Sequence, residues 1–263
     1  TEARISKILN IPDFSLSRST GSQTSLLNQQ PAELQEDYAT TIDEINAVEW
    51  DQIFAGRGNV THSCLQLLEK NFTQQSQPEN QWDFFYIVVR DASQKIVLAT
   101  FYTCALTKDD MFSSAYVSRH VEKLRQQNPY YLTSKAVMLG SLMSSGEQIY
   151  LDRDHPQWKQ ALGLLVDELQ KTVKDKQAAQ ILLRGFPEGD DEDLKDTLLD
   201  LGFSEQRLPD VCLVKDLSWQ DHQEYVKRLG RKYRNNFRKE ILAHTDEFDV
   251  VTAPNMSAAE IQH

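Results

Sequence analysis

Cysteine is scarce in this chain: Cys64, Cys104 and Cys212 are the only three in 263 residues. None sits in a CxxC pair or beside a histidine cluster. Reduced, buried thiols of a cytosolic protein are therefore expected, and a disulfide framework or zinc site is not. No apolar run reaches the roughly 18 residues needed to cross a bilayer. No basic, apolar and small-residue leader opens the chain, so the sequence predicts neither a membrane span nor secretion. Positive charge is also in short supply. The 28 Lys and Arg face 39 Asp and Glu, a net charge of -11, which argues against broad non-specific nucleic-acid binding. The six histidines, His62, His120, His155, His222, His244 and His263, show no H-x-x-x-H spacing, so no metal site is expected. No internal repeat of short period is visible.

What remains is rich in order. Hydrophobic residues make up 40 % of the chain, enough for a sizeable core. Residues 1–34 are polar and read as an arm or linker, with Ile5, Ile8 and Leu9 suggesting a short helix. Residues 38–42 have strand content. A short helix follows with Ile45, Val48, Trp50 and Ile53 on its apolar side. Thr61 can cap a second helix whose apolar spacing runs Cys64, Leu67, Leu68, Phe72. Residues 84–89 and 96–105 form a hairpin, and the first of these strands, apolar on both faces, belongs inside the sheet.

A helix over 117–126 ends at Asn128-Pro129. Strands follow at 130–142 and 148–151. The clearest helix carries Trp158, Ala161, Leu162, Leu165, Val166, Leu169 and Val173 on one face, with Asp154 placed to cap it and Pro156 in its first turn. A strand at 179–183, a helix from 190 stopped by Gly202, and a strand at 211–214 complete residues 35–217. This order predicts a mixed α/β (α+β) fold, a mixed sheet with helices on both faces.

From Ser218 the pattern starts again. Ser218 and Asp221 fit a capping box, and one long helix is expected to about His244. Tyr225, Leu229, Tyr233, Phe237 and Ile241 give it a drifting apolar stripe. Lys227, Arg231, Arg234 and Arg238, spaced four, three and four, share a side, flanked by Arg228, Lys232 and Lys239. Seven of the thirteen residues 227–239 are basic, more than a solvated face requires. A strand at 248–252 and a helix from Ser257 would open a second unit that 218–263 leaves incomplete.

Three segments give this order a family likeness. They are Arg184-Gly185-Phe186-Pro187, the helix ending Leu201-Gly202-Phe203 with Pro209-Asp210-Val211-Cys212 after it, and Lys232-Tyr233-Arg234-Asn235-Asn236-Phe237-Arg238-Lys239. On these, residues 36–252 resemble the FemABX-like, or BioF2-like, branch of the GNAT acyltransferase superfamily. The resemblance implies a GNAT-like domain followed by the start of a second one, and transfer of an acyl or aminoacyl group to an amine. It implies acyl-CoA or aminoacyl-tRNA as donor. The stretch where such proteins carry a Q/R-x-x-G-x-G/A phosphate loop is here Asp152-Arg153-Asp154-His155-Pro156-Gln157-Trp158. It has no glycine, and two aspartates would repel a pyrophosphate, so the second domain is the alternative place for the donor.

Direct aminolysis asks little covalent help of the protein: backbone N–H groups polarise the carbonyl and a base accepts a proton. Within that likeness Leu139, Gly140 and Ser141 are the candidates for the donor-facing strand end. Asp109, Asp110 and Glu147, in loops near strand ends, are candidate bases. Lys227, Arg231, Arg234 and Arg238 could grip a phosphate, a tRNA acceptor end or an anionic precursor. Tyr116 and Arg119 could line a cleft. Ser63-Cys64 has no oriented base and reads as helix packing. Two other readings stay open. One is a non-catalytic GNAT-like domain that binds a neighbouring domain or presents substrate to it. The other is an RNA-contacting module built on the basic helix.

Overall fold

A computed structural model describes residues 4–10, 33–187, 191–207 and 216–248. The chain divides into two compact units, residues 1–211 and 212–263.

The first unit is a mixed α/β domain around one sheet with strand order β2-β3-β4-β5-β7-β1-β8, and β6 pairs with β4 off this path. The strands are β1 (Arg4–Asn10), β2 (Gln35–Ala39), β3 (Asp83–Arg90), β4 (Ile96–Lys108), β5 (Thr133–Leu139), β6 (Ile149–Leu151), β7 (Gln180–Pro187) and β8 (Ser204–Arg207). Between them lie α1 (Ala47–Ile53), α2 (His62–Phe72), α3 (Ala115–Arg125), α4 (Trp158–Lys176) and α5 (Glu192–Asp200). The hairpin β3–β4 is the spine. Side chains alternate across it: Ile87, Val89, Val97 and Tyr102 join Leu162, Leu165 and Leu169 of α4. Phe84, Tyr86, Val88 and Phe101 join Trp50 of α1 and Leu65 of α2 on the other face. Helices thus cover both faces, and β3 is apolar on both sides because each side has its own core.

One edge of β4 is divided between two partners. Residues 103–108 pair with β5, and residues 98–100 pair with β6. The handover falls at Gly140, whose φ of +74° turns the chain off β5. β5 and β7 run parallel, but only over Ala136–Met138 against Gln180–Leu182. The sheet then opens.

Several local expectations change. Residues 4–10 form a strand, not a helix, because their backbone pairs with both β7 and β8. Adjacent apolar residues such as Ile8-Leu9 cannot tell the two periods apart. In α2 the buried residue is Leu65, while Leu67 is 61 % exposed. Thr61 does cap it, accepting from the Cys64 N–H. Asp154 does not cap α4. Its own N–H donates to Asp152 Oδ1, and residues 152–157 turn on themselves before the helix begins after Gln157. The strand expected at 130–142 shortens to seven residues, bounded by positive φ at Leu132 and Gly140.

The second unit holds α6 (His222–Arg228) and α7 (Arg231–Glu240). The single long helix is broken: Leu229 is extended (φ −70°, ψ 143°) and Gly230, a poor helix former, stands at the N-cap of α7. The cap of α6 is Asp221, not Ser218. Asp221 accepts from the Glu224 N–H, and the Glu224 carboxylate accepts from the Gln220 N–H. Asp221 wins because it stands one residue before the first helical turn, where a carboxylate also meets the positive end of the dipole. The strand expected at 211–214, the helix from Ser257, and all of 248–252 except the extended Phe248 lie outside the described residues.

Candidate functional site

The concentrated positive charge of the chain lies on α7. Trp219 stacks near Tyr225, and Tyr225 meets Phe237 edge-on with ring centroids 6.0 Å apart. These contacts fix α6 against α7. Away from them, Arg231, Lys232, Arg234, Asn235 and Arg238 line a groove of about 760 Å³. Residues 231, 234 and 238 share a helix face by their spacing of three and four.

Two features make this face unusual. Gly230 gives α7 no side-chain cap, and the first turn holds no acidic residue. Cations there oppose the helix dipole at a cost of about 0.3–1 kcal/mol each. Among the described residues, moreover, no carboxylate pairs with Arg231, Lys232, Arg234 or Arg238; the arginine of this region that is ion-paired is Arg228, whose Nη1 donates to Asp216 at 2.6 Å. Arg228 also lies over the Trp219 ring, 5.7 Å from its centroid. Lys227, on the last turn of α6, is not part of the groove lining. An anion would meet free N–H groups of the first turn and planar guanidinium forks together.

The strand end of the first unit is differently built. The Gly140 N–H donates to Phe101 O at 2.9 Å, and the Ser141 N–H donates to Ser144 Oγ at 2.7 Å. Two of the three amides nominated for a donor are thus spent inside the protein, and Leu139 belongs to the core beneath α4. Ser141, Ser144 and Gln148 are buried, and Ser144 Oγ donates to Gln148 Oε1 at 2.6 Å. Arg184, just beyond the parallel pairing on β7, donates from Nη2 to Ser141 O and Ser144 O. A guanidinium therefore braces the opening between β5 and β7.

The start of α4 is equally committed. Asp152 lies 2.6 Å from Lys95, Arg153 donates to Asp191, and Lys159 donates to Asp193. The Arg153 guanidinium stacks 3.3 Å from the centroid of Trp158. These residues do not fit a pyrophosphate: Lys95, Arg153 and Lys159, the cations of this stretch, are already ion-paired with Asp152, Asp191 and Asp193.

The candidate bases are dispersed. Asp110 is buried and accepts from Arg125 Nη2 at 2.6 Å. That hydrogen bond holds its carboxyl below the usual carboxylate range, which removes its basicity. Asp109 accepts from the Ser134 hydroxyl, and Glu147 pairs with Arg57. Asp109 follows the end of β4, while Glu147 precedes β6, whose Ile149 pairs with Thr100. Continuing that register brings Glu147 level with Tyr102, about six residues of strand from the end of β4, so at a rise of about 3.3 Å the two carboxylates stand roughly 20 Å apart. Tyr116 is exposed on the first turn of α3, with Arg119 one turn on. The Ser63 hydroxyl contacts Thr61 Oγ1. Among the described residues no group of His, Cys, Asp or Glu could hold a metal ion. Nor does any helix among them have the length and apolarity to cross a membrane.

Sequence reading missed the bracing roles of Arg184 and Arg125 and the Ser144–Gln148 pair. Arg184 stood in plain view as the one charge of an apolar strand, Ile181-Leu182-Leu183-Arg184, a pattern that asks for a buried partner. No family model, no curated protein and no solved structure matches this chain.

Proposed function

We propose that the chain is part of a GNAT-like N-acyltransferase of FemABX type, in which α7 of the second unit grips the anionic end of the acyl or aminoacyl donor. The observation that carries the reading is the α7 groove, where Arg231, Arg234 and Arg238 stand without carboxylate partners among the described residues. The strand order of the first unit and its short parallel pairing support the GNAT-like part. In this reading the strand end of the first unit, braced by Arg184, is not where the donor binds.

The test is calorimetric titration of the 263-residue chain with acetyl-CoA, and separately with tRNA, over a range of salt. Binding of acetyl-CoA should weaken at least tenfold, about 1.4 kcal/mol, in the variant Arg234→Glu/Arg238→Glu, whose fold is checked by circular dichroism. Unchanged affinity sinks the proposal. Steeply salt-dependent binding of tRNA alone makes the ligand RNA.

The committed amides of Gly140 and Ser141 favour a second reading, a non-catalytic GNAT-like domain that docks a neighbouring domain. A chain that binds neither acetyl-CoA nor tRNA, yet forms a stable complex with such a domain, decides for it.

A further inference from the structure

At the edge of the first unit, between the sheet and the last turns of α4, lies a cavity of about 320 Å³. It is far from the basic helix in sequence and uses none of the residues discussed so far as donor ligands. Its walls are aromatic: Tyr38 of β2, Phe85 of β3 and Tyr102 of β4, with Phe85 and Tyr102 stacked at 5.0 Å. Glu44, Glu168, Lys171, Thr172, Asp175 and Lys176 complete the lining.

The charges are unequally engaged. Lys176 is spent, since its Nζ lies 3.1 Å from Asp83. Glu168 is only 18 % exposed, and its ion pair among the described residues is with Lys171, 66 % exposed, whose Nζ lies 3.4 and 3.3 Å from the two carboxylate oxygens. Glu44 and Asp175 have no side-chain partner among the described residues. A carboxylate largely withdrawn from water and weakly paired is costly unless a cation joins it.

The hydroxyls give an independent indication. Tyr102 Oη and Thr172 Oγ1 are both buried and lie 3.1 Å apart, sharing a single hydrogen bond. Two O–H groups and one bond leave one proton without an acceptor among the described residues. Buried polar groups are normally satisfied, so this pair calls for an oxygen acceptor inside the cavity. The protein itself supplies a precedent for the rest of the chemistry: the Lys176 ammonium sits 5.7 Å from the centroid of Phe85, within the range of cation–π attraction.

We propose that this cavity binds a small aliphatic primary amine that also carries an oxygen acceptor. Its ammonium lies against the aromatic walls and donates to Glu168, with Asp175 and Glu44 at the rim. Its oxygen accepts from the Tyr102–Thr172 pair. The volume stands at the small end of ligand pockets, which limits the occupant to a short chain. Because the amine is held protonated, the cavity recognises it and does not make it a nucleophile. The inference stands whether or not the chain transfers acyl groups.

The experiment is a titration of the full chain with 5-amino-1-pentanol at neutral pH, followed by backbone amide shifts and calorimetry. Its neutral counterpart, 1,6-hexanediol, and inorganic phosphate are the comparison probes. Saturable binding of the amino alcohol is expected, with shifts at Tyr38 and Thr172, and at least tenfold weaker binding in Glu168→Gln. Phe85→Leu gives a second variant that removes a wall and leaves every charge in place, and it too should weaken binding severalfold. Equal binding of 1,6-hexanediol, preferential binding of phosphate, shifts confined to other surfaces, or full affinity in both variants would each overturn the proposal.

Discussion

Arg125 reaches Asp110 at 2.6 Å, and both side chains are about 5 % exposed or less. The same guanidinium donates from Nε to Tyr131 O and from Nη2 to Leu132 O. One side chain thereby ties α3 to the loops on either side of it. Removing Asp110 leaves the buried Arg125 with only the exposed Glu122 as carboxylate partner, so Asp110→Ala should cost up to about 3 kcal/mol, while Asp110→Ala/Arg125→Met should cost clearly less. Urea unfolding measures both, and equal losses would contradict the pairing. The pH dependence follows from the lowered carboxyl. Its contribution is whole above the unfolded value near about 3.9, and is lost as pH falls through that value toward the folded one. Asp110→Asn should flatten the acid limb of the stability curve.

Gly140→Ala tests the handover from β5 to β6. A Cβ there would stand 2.0 Å from Gln148 Oε1, on a backbone already at φ +74°. The left-handed conformation costs about 1–2 kcal/mol and the overpacking about 1–3 kcal/mol. Adding Gln148→Ala should relieve part of the overpacking, since Ser144 Oγ also stands 2.7 Å from that Cβ, and none of the conformational cost. Complete recovery of the melting temperature would show that the conformation carries no cost.

Arg231→Glu should separate ligand affinity from stability. A glutamate in the first turn of α7 agrees with the dipole where an arginine opposes it, so the helix should gain about 0.3–1 kcal/mol. Anion binding should fall at least tenfold in the same protein. Thermal melts followed by circular dichroism, together with calorimetry, read the two effects. A variant that loses stability along with binding would mean that Arg231 is a structural residue.

Thiol labelling tests the core. Burial pushes the Cys104 thiol up to about 11, whereas Cys64 is half-buried at the start of α2. At pH 8 iodoacetamide should modify Cys64 well before Cys104, and Cys104 at the rate of global unfolding. Mass spectrometry of digests assigns the order. Cys104 labelled first would place that strand nearer the surface.

The sheet and its helices were legible because their signals are redundant. In α4 seven apolar residues repeat on one face, and all seven are buried. The hairpin was legible because β3 is apolar on both sides and its turn is short. Legibility fell where one residue decides. Gly230 splits a helix whose charge pattern runs on unbroken. Asp221 outcompetes Ser218 for a cap three positions later. The basic face of α7 could be read from spacing alone, since helix geometry sets it. The bracing of the open sheet by Arg184 could not. It depends on where Ser141 and Ser144 turn their carbonyls, 43 and 40 residues earlier in the chain.

The place of β1 in the sheet has a temporal consequence. This strand lies between β7 and β8, so a segment made early in the unit pairs with strands made about 170–200 residues later. About 200 residues separate Asn10 from Ser204. At about 5–20 residues per second, β1 waits roughly 10–40 s for its second neighbour. The hairpin and α4 can form meanwhile, but the sheet closes only when synthesis of the whole unit is complete. Until β7 emerges, β1 has neither of its neighbours in the sheet, and once paired with β7 it keeps its other edge open until β8 follows.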